Sequence, residues 1–221
     1  LRQHLNFSRK NYSEENESKD GIFDKFVNSK QVLMREAELV EKYELEGLKS
    51  NSTRLNYLEN LYIIDMLDKI LEIEFLEKLK IIDVGSKNWF YAKGECFLFK
   101  KYCQSLEMDG IEVDANRLYS NFYTRGEVAK FYIKNLSNVK YIEGDFLKYN
   151  DKYDYILWFL PFVVEEPLLK WGLPLKYFHP NKMLKHAYDC LNQGGKILIV
   201  NQGNIEYDVQ KKLCESLDIP Y

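Results

Sequence analysis

Four apolar runs in the second half of this chain end on side chains able to hold a polar ligand. "IIDVGSKN" supplies Asp83, Gly85, Ser86, Lys87 and Asn88, and "GIEVD" supplies Glu112 and Asp114. "YIEGDF" supplies Asp145 and Phe146, and "ILIVNQ" supplies Asn201 and Gln202. A carboxylate accepts two hydrogen bonds side by side, and an amide both donates and accepts. One acid after one apolar run is more simply a turn former or a helix cap. Four such ends in order point to a site, because open α/β sheets bind ligands outside the carboxyl ends of their strands.

These residues need a sheet to align them. The expected strands are 79–84, 108–113, 139–142, 153–160 and 196–201. Helix-like stretches lie near 94–106, 115–134, 181–192 and 205–217. This alternation predicts an α/β fold: a Rossmann-like, doubly wound, mainly parallel sheet with right-handed crossovers. Residues 1–78 read instead as an N-terminal helical extension to the domain 79–221. Val32, Leu33, Glu36, Leu39, Val40 and Tyr43 form one stripe at helical spacing. A second runs from Leu55 to Ile73 behind Thr53, a candidate N-cap, and Gly47 is a candidate helix stop between them. Both stripes need a partner surface, so the extension is expected to pack on the sheet. The polar run 13–20 is expected to be solvated and mobile.

The stretch 161–180 holds Pro161, Pro167, Pro174 and Pro180 among large apolar residues. Such a segment is expected to be an ordered lid over the carboxyl edge of the sheet, since linkers are seldom so apolar. Phe162, Trp171, Leu173, Tyr177 and Phe178 would either face a small, partly apolar ligand or only pack the lid down. His179, ahead of Pro180, reads as a capping or surface histidine, with acid–base work as its other reading.

Bulk properties narrow the classes. The chain has 221 residues, 46% hydrophobic and 29% charged, with net charge −3 and pI near 5.8. It carries no global attraction for nucleic acid or anionic membranes, and neither is an expected partner. Cys96, Cys103, Cys190 and Cys214 form no Cys-x-x-Cys pair, and His4, His179 and His186 are not spaced to complete a metal site. No apolar run reaches transmembrane length and no signal peptide is evident, so the expected location is cytoplasmic. Leu1 in place of Met suggests a trimmed version of a longer chain.

Read together, 79–217 resembles a class I S-adenosylmethionine-dependent methyltransferase domain. "IIDVGS" is similar to that family's first motif, "GIEVD" to its second, "YIEGDF" to its third, "YDYILWFLPF" to its fourth and "LNQGGKILIV" to its fifth. The resemblance implies S-adenosylmethionine as cofactor, with Gly85 and Ser86 in the loop beside it. It implies that Asp83 orders the loop and the cofactor's amino group. Glu112 would grip the ribose hydroxyls and Asp145 the adenine amino group, with Phe146 or a neighbour against the ring face. Asp114 then falls to capping the next helix. The acceptor would be a small molecule or biosynthetic intermediate, met by Phe162, Trp171, His179, Asn201 and Gln202. The fourth motif lacks the Asp/Asn-Pro-Pro-aromatic signature of amino methylation, which argues against adenine in DNA. Catalytic residues are not implied, because methyl transfer from a sulfonium needs mainly alignment and exclusion of water.

The glycine loop departs from the family. Gly-x-Gly-x-Gly is here Gly85-Ser86-Lys87-Asn88-Trp89, and Asp83 to Glu112 exceeds the roughly 20 residues usual for such units. Lys87 would either pair with the cofactor's carboxylate or point to water. Trp89 is expected to turn outward, onto the following helix or the lid, where aromatic neighbours await it. The altered loop keeps open a non-catalytic protein that binds a ligand or a protein partner. A nicotinamide oxidoreductase fits least, for want of Gly-x-Gly-x-x-Gly. The chain stops at Ile219-Pro220-Tyr221, where the family adds an antiparallel hairpin, so the sheet is expected without that edge.

Overall fold

In the computed structural model, which describes residues 11–221, strand β1 (Leu76–Val84) lies at the centre of the sheet. Its last four residues are buried, which is why "IIDV" reads as a continuous run and not an alternation. Strands β2 (Cys103–Glu112) and β4 (Tyr153–Phe159) flank it, with β3 (Val139–Glu143) and β5 (Leu191–Val200) outside them. The order is β3-β2-β1-β4-β5 and every pairing is parallel. The chain builds outward from β1 to β3, then returns to start β4 on the other side of β1. The crevice at that switch is where such sheets take ligands.

Helices cover both faces. Helices α1 (Ser29–Tyr43), α2 (Glu46–Ser50), α3 (Arg54–Ile70), α4 (Ala92–Lys100) and α5 (Arg125–Ile133) share one core with Leu79, Ile81, Met108, Tyr155 and Leu157. After α6 (Glu165–Lys170), which belongs to the lid, α7 (Pro180–Asp189) and α8 (Gly203–Ser216) build the other core with Ile82, Val84, Ile156 and Trp158. Alternate residues of β1 thus point into opposite cores, as the pleat requires. The extension packs on the sheet as its apolar stripes demand: Leu39, Tyr57, Ile64 and Leu67 are buried in the same cluster as Leu79 and Ile81. Thr53 caps α3, its hydroxyl accepting the Asn56 N–H at 3.1 Å.

Several boundaries differ from the expectation. Helix α4 ends at Lys100, because turns from Lys101 to Leu98 and Tyr102 to Phe99 close it and the Tyr102 carbonyl accepts the Leu76 N–H. Cys103 to Glu107 therefore extend β2. Helix α5 starts only at Arg125, behind a capping box made by Thr124 and Glu127, so 113–124 is loop. The run 13–20 is mostly exposed, as expected, but hydrogen bonds tie it to the start of α3. Lys19 is buried and its ammonium donates to the Glu17 and Ser52 carbonyls, while Glu17 accepts the Arg54 N–H at the start of α3. His4 lies outside the described residues. All four cysteines are buried and unbridged. No helix among the described residues is long and apolar enough to cross a membrane.

Because one core joins the extension to the sheet, Leu67→Ala should lower the stability of the whole molecule by about 2–5 kcal/mol. Urea unfolding followed by far-ultraviolet circular dichroism and by tryptophan fluorescence should shift as one transition. Separation of the two curves would mean that the helical layer melts by itself.

Candidate functional site

The loop after β1 is shaped by what lies beneath it. Trp89 is completely buried under the loop, in the layer between β2 and α4. Its indole N–H donates to Glu95 Oε2 at 2.8 Å. The ring lies against Gly110 so closely that a Cβ there would stand 2.6 Å from it. Trp89 thus packs on the following helix, one of its two expected positions, but buried beneath the loop and not turned outward. Gly110 leaves a hollow on the face of β2, and Glu95 supplies a buried acceptor, two features separated from Trp89 in the chain or on its next helix. The N-terminal layer holds the same turn from outside. Asn56 and Asn60 amides donate to the Phe90 carbonyl at 2.5 and 3.1 Å, and Asn60 Oδ1 accepts the Gly94 N–H at 2.7 Å.

This arrangement strains the loop and uses its donors. Lys87 and Trp89 sit at φ 57° and 42°, a left-handed conformation uncommon for residues with side chains. The N–H groups of Gly85 and Ser86 go to the Ile111 carbonyl, that of Lys87 to Glu112 Oε2 at 3.0 Å, and that of Trp89 to the Ser86 carbonyl. The backbone donors one would expect a ligand to meet are thus largely engaged within the protein.

Three buried acids lie at or beneath the mouth. Asp83 is buried; the Tyr91 hydroxyl donates to its Oδ2 at 2.9 Å, and its Oδ1 has no partner. Burial pushes its pKa up to about 7, the Glu112 charge adds to this, and the Tyr91 hydrogen bond opposes it. Glu95, buried with Oε1 unpartnered, is pushed well above the ordinary range by burial and by Asp83. Glu112, 6% exposed, receives the Lys87 N–H on one oxygen and the Asp114 N–H on the other at 2.7 Å. Burial raises its pKa too, with those backbone donors and Arg125 pulling it back.

Asp114 does not cap α5, since the 113–124 loop comes between them. Its carboxylate instead binds Arg117 Nε at 2.6 Å and Arg125 Nη1 at 3.1 Å. Both arginines reach the lid. Arg117 donates to the Trp171 carbonyl, and the Arg125 guanidinium lies 4.6 Å from the centroid of the Trp171 ring. The Lys87 ammonium is 5.2 Å from the same centroid. Lys87 thus touches the lid, a placement the sequence did not suggest.

The remaining candidates are spread along the sheet edge. Asp145 caps the short turn Phe146–Lys148 by accepting the Leu147 N–H at 3.1 Å. The Phe146 ring is drawn into the second core, 4.9 Å from His186, which takes it off the open edge where a ring-face contact was expected. Asn201 keeps a buried Nδ2 without a partner, and the Gln202 backbone donates to Glu206. His179 precedes α7 and makes no side-chain cap, and Phe162 is half-buried at the root of the lid. The structure therefore groups Asp83, Ser86 and Glu112, places Asp145 on the β3 side, and leaves Asn201 and Gln202 beyond β4. Tyr91, Glu95, Arg117 and Arg125 were missed from sequence; only the paired arginines of "ANRLYSNFYTR" offered a signal. No group of three or more metal-ligating side chains that could hold an ion occurs among the described residues.

No protein-family model matches this chain, and no curated protein matches it. Solved structures do align with it. The YcgJ protein of Bacillus subtilis is 18% identical over 63% of this chain and 50% of its own, with a TM-score of 0.43. The mycolic acid cyclopropane synthase CmaA1 is 14% identical over 67% of this chain and 46% of its own, with a TM-score of 0.43. A SAM-dependent methyltransferase from Aquifex aeolicus is 14% identical over 69% of this chain and 77% of its own, with a TM-score of 0.45. The chain spans about half the length of the first two.

Two outcomes follow from the loop and its acids. Gly110→Ala should cost about 1–3 kcal/mol by overpacking against Trp89, and Trp89→Phe in the same protein should recover part of it. Denaturant midpoints of the parent and the two variants measure this. Asp83 carries a folded pKa above its unfolded value near 3.9. The folded state then holds the extra proton between about pH 4 and 7, and stability falls as pH rises through that window. Asp83→Asn should therefore gain on the parent as pH rises from 5 to 7 and hold a constant lead above pH 8; a gap that does not change with pH would contradict this.

Proposed function

We propose that this chain is an S-adenosylmethionine-dependent methyltransferase acting on a small molecule or biosynthetic intermediate. The observation that carries the proposal is Glu112, a buried carboxylate at the end of β2 beside the switch crevice. Each carboxylate oxygen has two acceptor positions, and each has given one to a backbone N–H. One position remains on each oxygen, side by side, which suits a pair of ribose hydroxyls. The unpartnered Asp83 Oδ1 and Ser86 Oγ, both buried, add an acceptor and a hydroxyl that fit the cofactor's amino-acid end.

When bound, the cofactor would supply a methyl group activated on a sulfonium. The chain's own residues have simpler tasks. Glu112 and Asp145 orient the nucleoside, Asp83 holds an ammonium and Asn201 offers a donor from the far side. Phe162 and the apolar lid exclude water and set the acceptor's approach. No general base is assigned, and an acceptor with a free lone pair needs none.

A second reading is favoured by the engaged loop donors and the left-handed Lys87 and Trp89. It is a protein of this fold that binds a ligand or a partner without catalysis. Titration calorimetry with S-adenosylhomocysteine, followed by transfer of labelled methyl groups to a cell extract, separates the two. The proposal expects binding and labelling of small molecules; binding without labelling favours the second reading, and binding of NAD alone overturns both. Glu112→Ala should weaken S-adenosylhomocysteine by about 1–3 kcal/mol, the cost of leaving buried polar groups unpaired. Unchanged affinity in a folded Glu112→Ala protein would remove the main support.

A further inference from the structure

The lid does not stay over the strand that produces it. It leaves β4, crosses the end of β1 and meets the loop after β2, so it spans the switch crevice from side to side. Val163, Leu168 and Leu173 are buried and root it on the domain. Between the last two, the chain bends at Trp171-Gly172. Gly172 adopts φ 84°, and a Cβ on it would stand 3.0 Å from Arg117 Nη2, so the bend is fitted around that arginine. Arg117 also binds the Trp171 carbonyl. The two cations beside the indole, Lys87 and Arg125, are each one step from Glu112. The Lys87 N–H donates to Glu112 Oε2, and Arg125 pairs with Asp114, whose N–H donates to Oε1.

We propose that Trp171 is a wall of the nucleoside site around Glu112, not part of the acceptor site, and that Arg117 is the positioning residue that holds it there. The inference rests on the methyl-donor reading of the site. It differs from the assignment the sequence suggests, in which Trp171 meets the acceptor. The reason is connectivity. Each side chain that holds the Trp171 corner leads back to Glu112, Lys87 through its own backbone and the two arginines through Asp114, and none leads to Asn201, Gln202 or His179. An aromatic ring held by the same loops that hold a carboxylate suited to sugar hydroxyls is a candidate for contact with a nucleoside. Seating the indole would close the crevice over the bound ligand, so its main effect falls on the rate of ligand escape.

The test compares S-adenosylhomocysteine with 5′-methylthioadenosine, which share the nucleoside and differ in the amino-acid tail. Trp171→Leu should weaken both by the same factor of about ten, the scale of base–aromatic contacts, through faster dissociation. Trp171→Phe should keep most of the affinity. Arg117→Ala should match Trp171→Leu, and the double variant should lose no more than either alone. If the parent binds both ligands and the variants bind them equally well, this inference falls while the methyl-donor reading stands. Weakening of S-adenosylhomocysteine alone would place Trp171 at the tail and also overturn it. If the parent binds neither ligand, the cofactor reading falls and takes this inference with it. Thermal melts of each variant, with Trp171→Phe as the mildest, keep loss of fold apart from loss of binding.

Discussion

The edge of this sheet depends on one packing contact, the Trp89 indole against bare backbone at Gly110. A ring of that size can be buried beside a strand only where the strand carries no side chain. Its N–H also needs an acceptor in the core, and Glu95 is there at 2.8 Å. With Trp89 drawn under the loop, Lys87 is forced into a left-handed turn that aims its N–H at Glu112. The loop makes its turn with Gly85 as its one glycine, and the space for the indole is provided by a glycine on the neighbouring strand.

Burial of acids sets the electrostatics around that contact. Burial raises the proton affinity of Asp83, Glu95 and Glu112; the Glu112 charge adds to the effect on Asp83, and Asp83 to that on Glu95. Across the mouth, Lys87, Arg117 and Arg125 face the same edge with Asp114 between the arginines. A chain with net charge −3 thus gathers three cations beside its candidate site, Lys87 exposed and the arginines paired with Asp114, while much of the nearby acidity is buried. Such a local reversal is invisible to the overall charge, which is why bulk composition says little about what approaches this edge.

The helical extension is part of the same construction. Its Asn56 and Asn60 side chains reach the Phe90 carbonyl and the Gly94 N–H, the groups that carry the loop into α4. Amides buried there are costly unless each donor and acceptor is used. The extension therefore supports the loop from behind, and its apolar stripes share the core of the sheet.

The parallel sheet and the order in which polar strand ends appear were legible along the chain. Apolar runs such as "IIDV" have a local cause, burial on both faces, and local causes can be read along the chain. The Thr53 cap and the proline-rich lid were legible for the same reason. Tertiary structure alone decided where Trp89 went, because Gly110 lies 21 residues away and only the β1–β2 pairing brings it near. It also decided that Asp114 serves two arginines and not a helix, since the capping box at Thr124 and Glu127 outcompetes it as the start of α5. The lid's landing on Arg117, and the withdrawal of Phe146 into the core, likewise depend on partners far apart in sequence. Hydrophobic period fixes which element a residue joins; the choice of contact waits for the chain to close on itself.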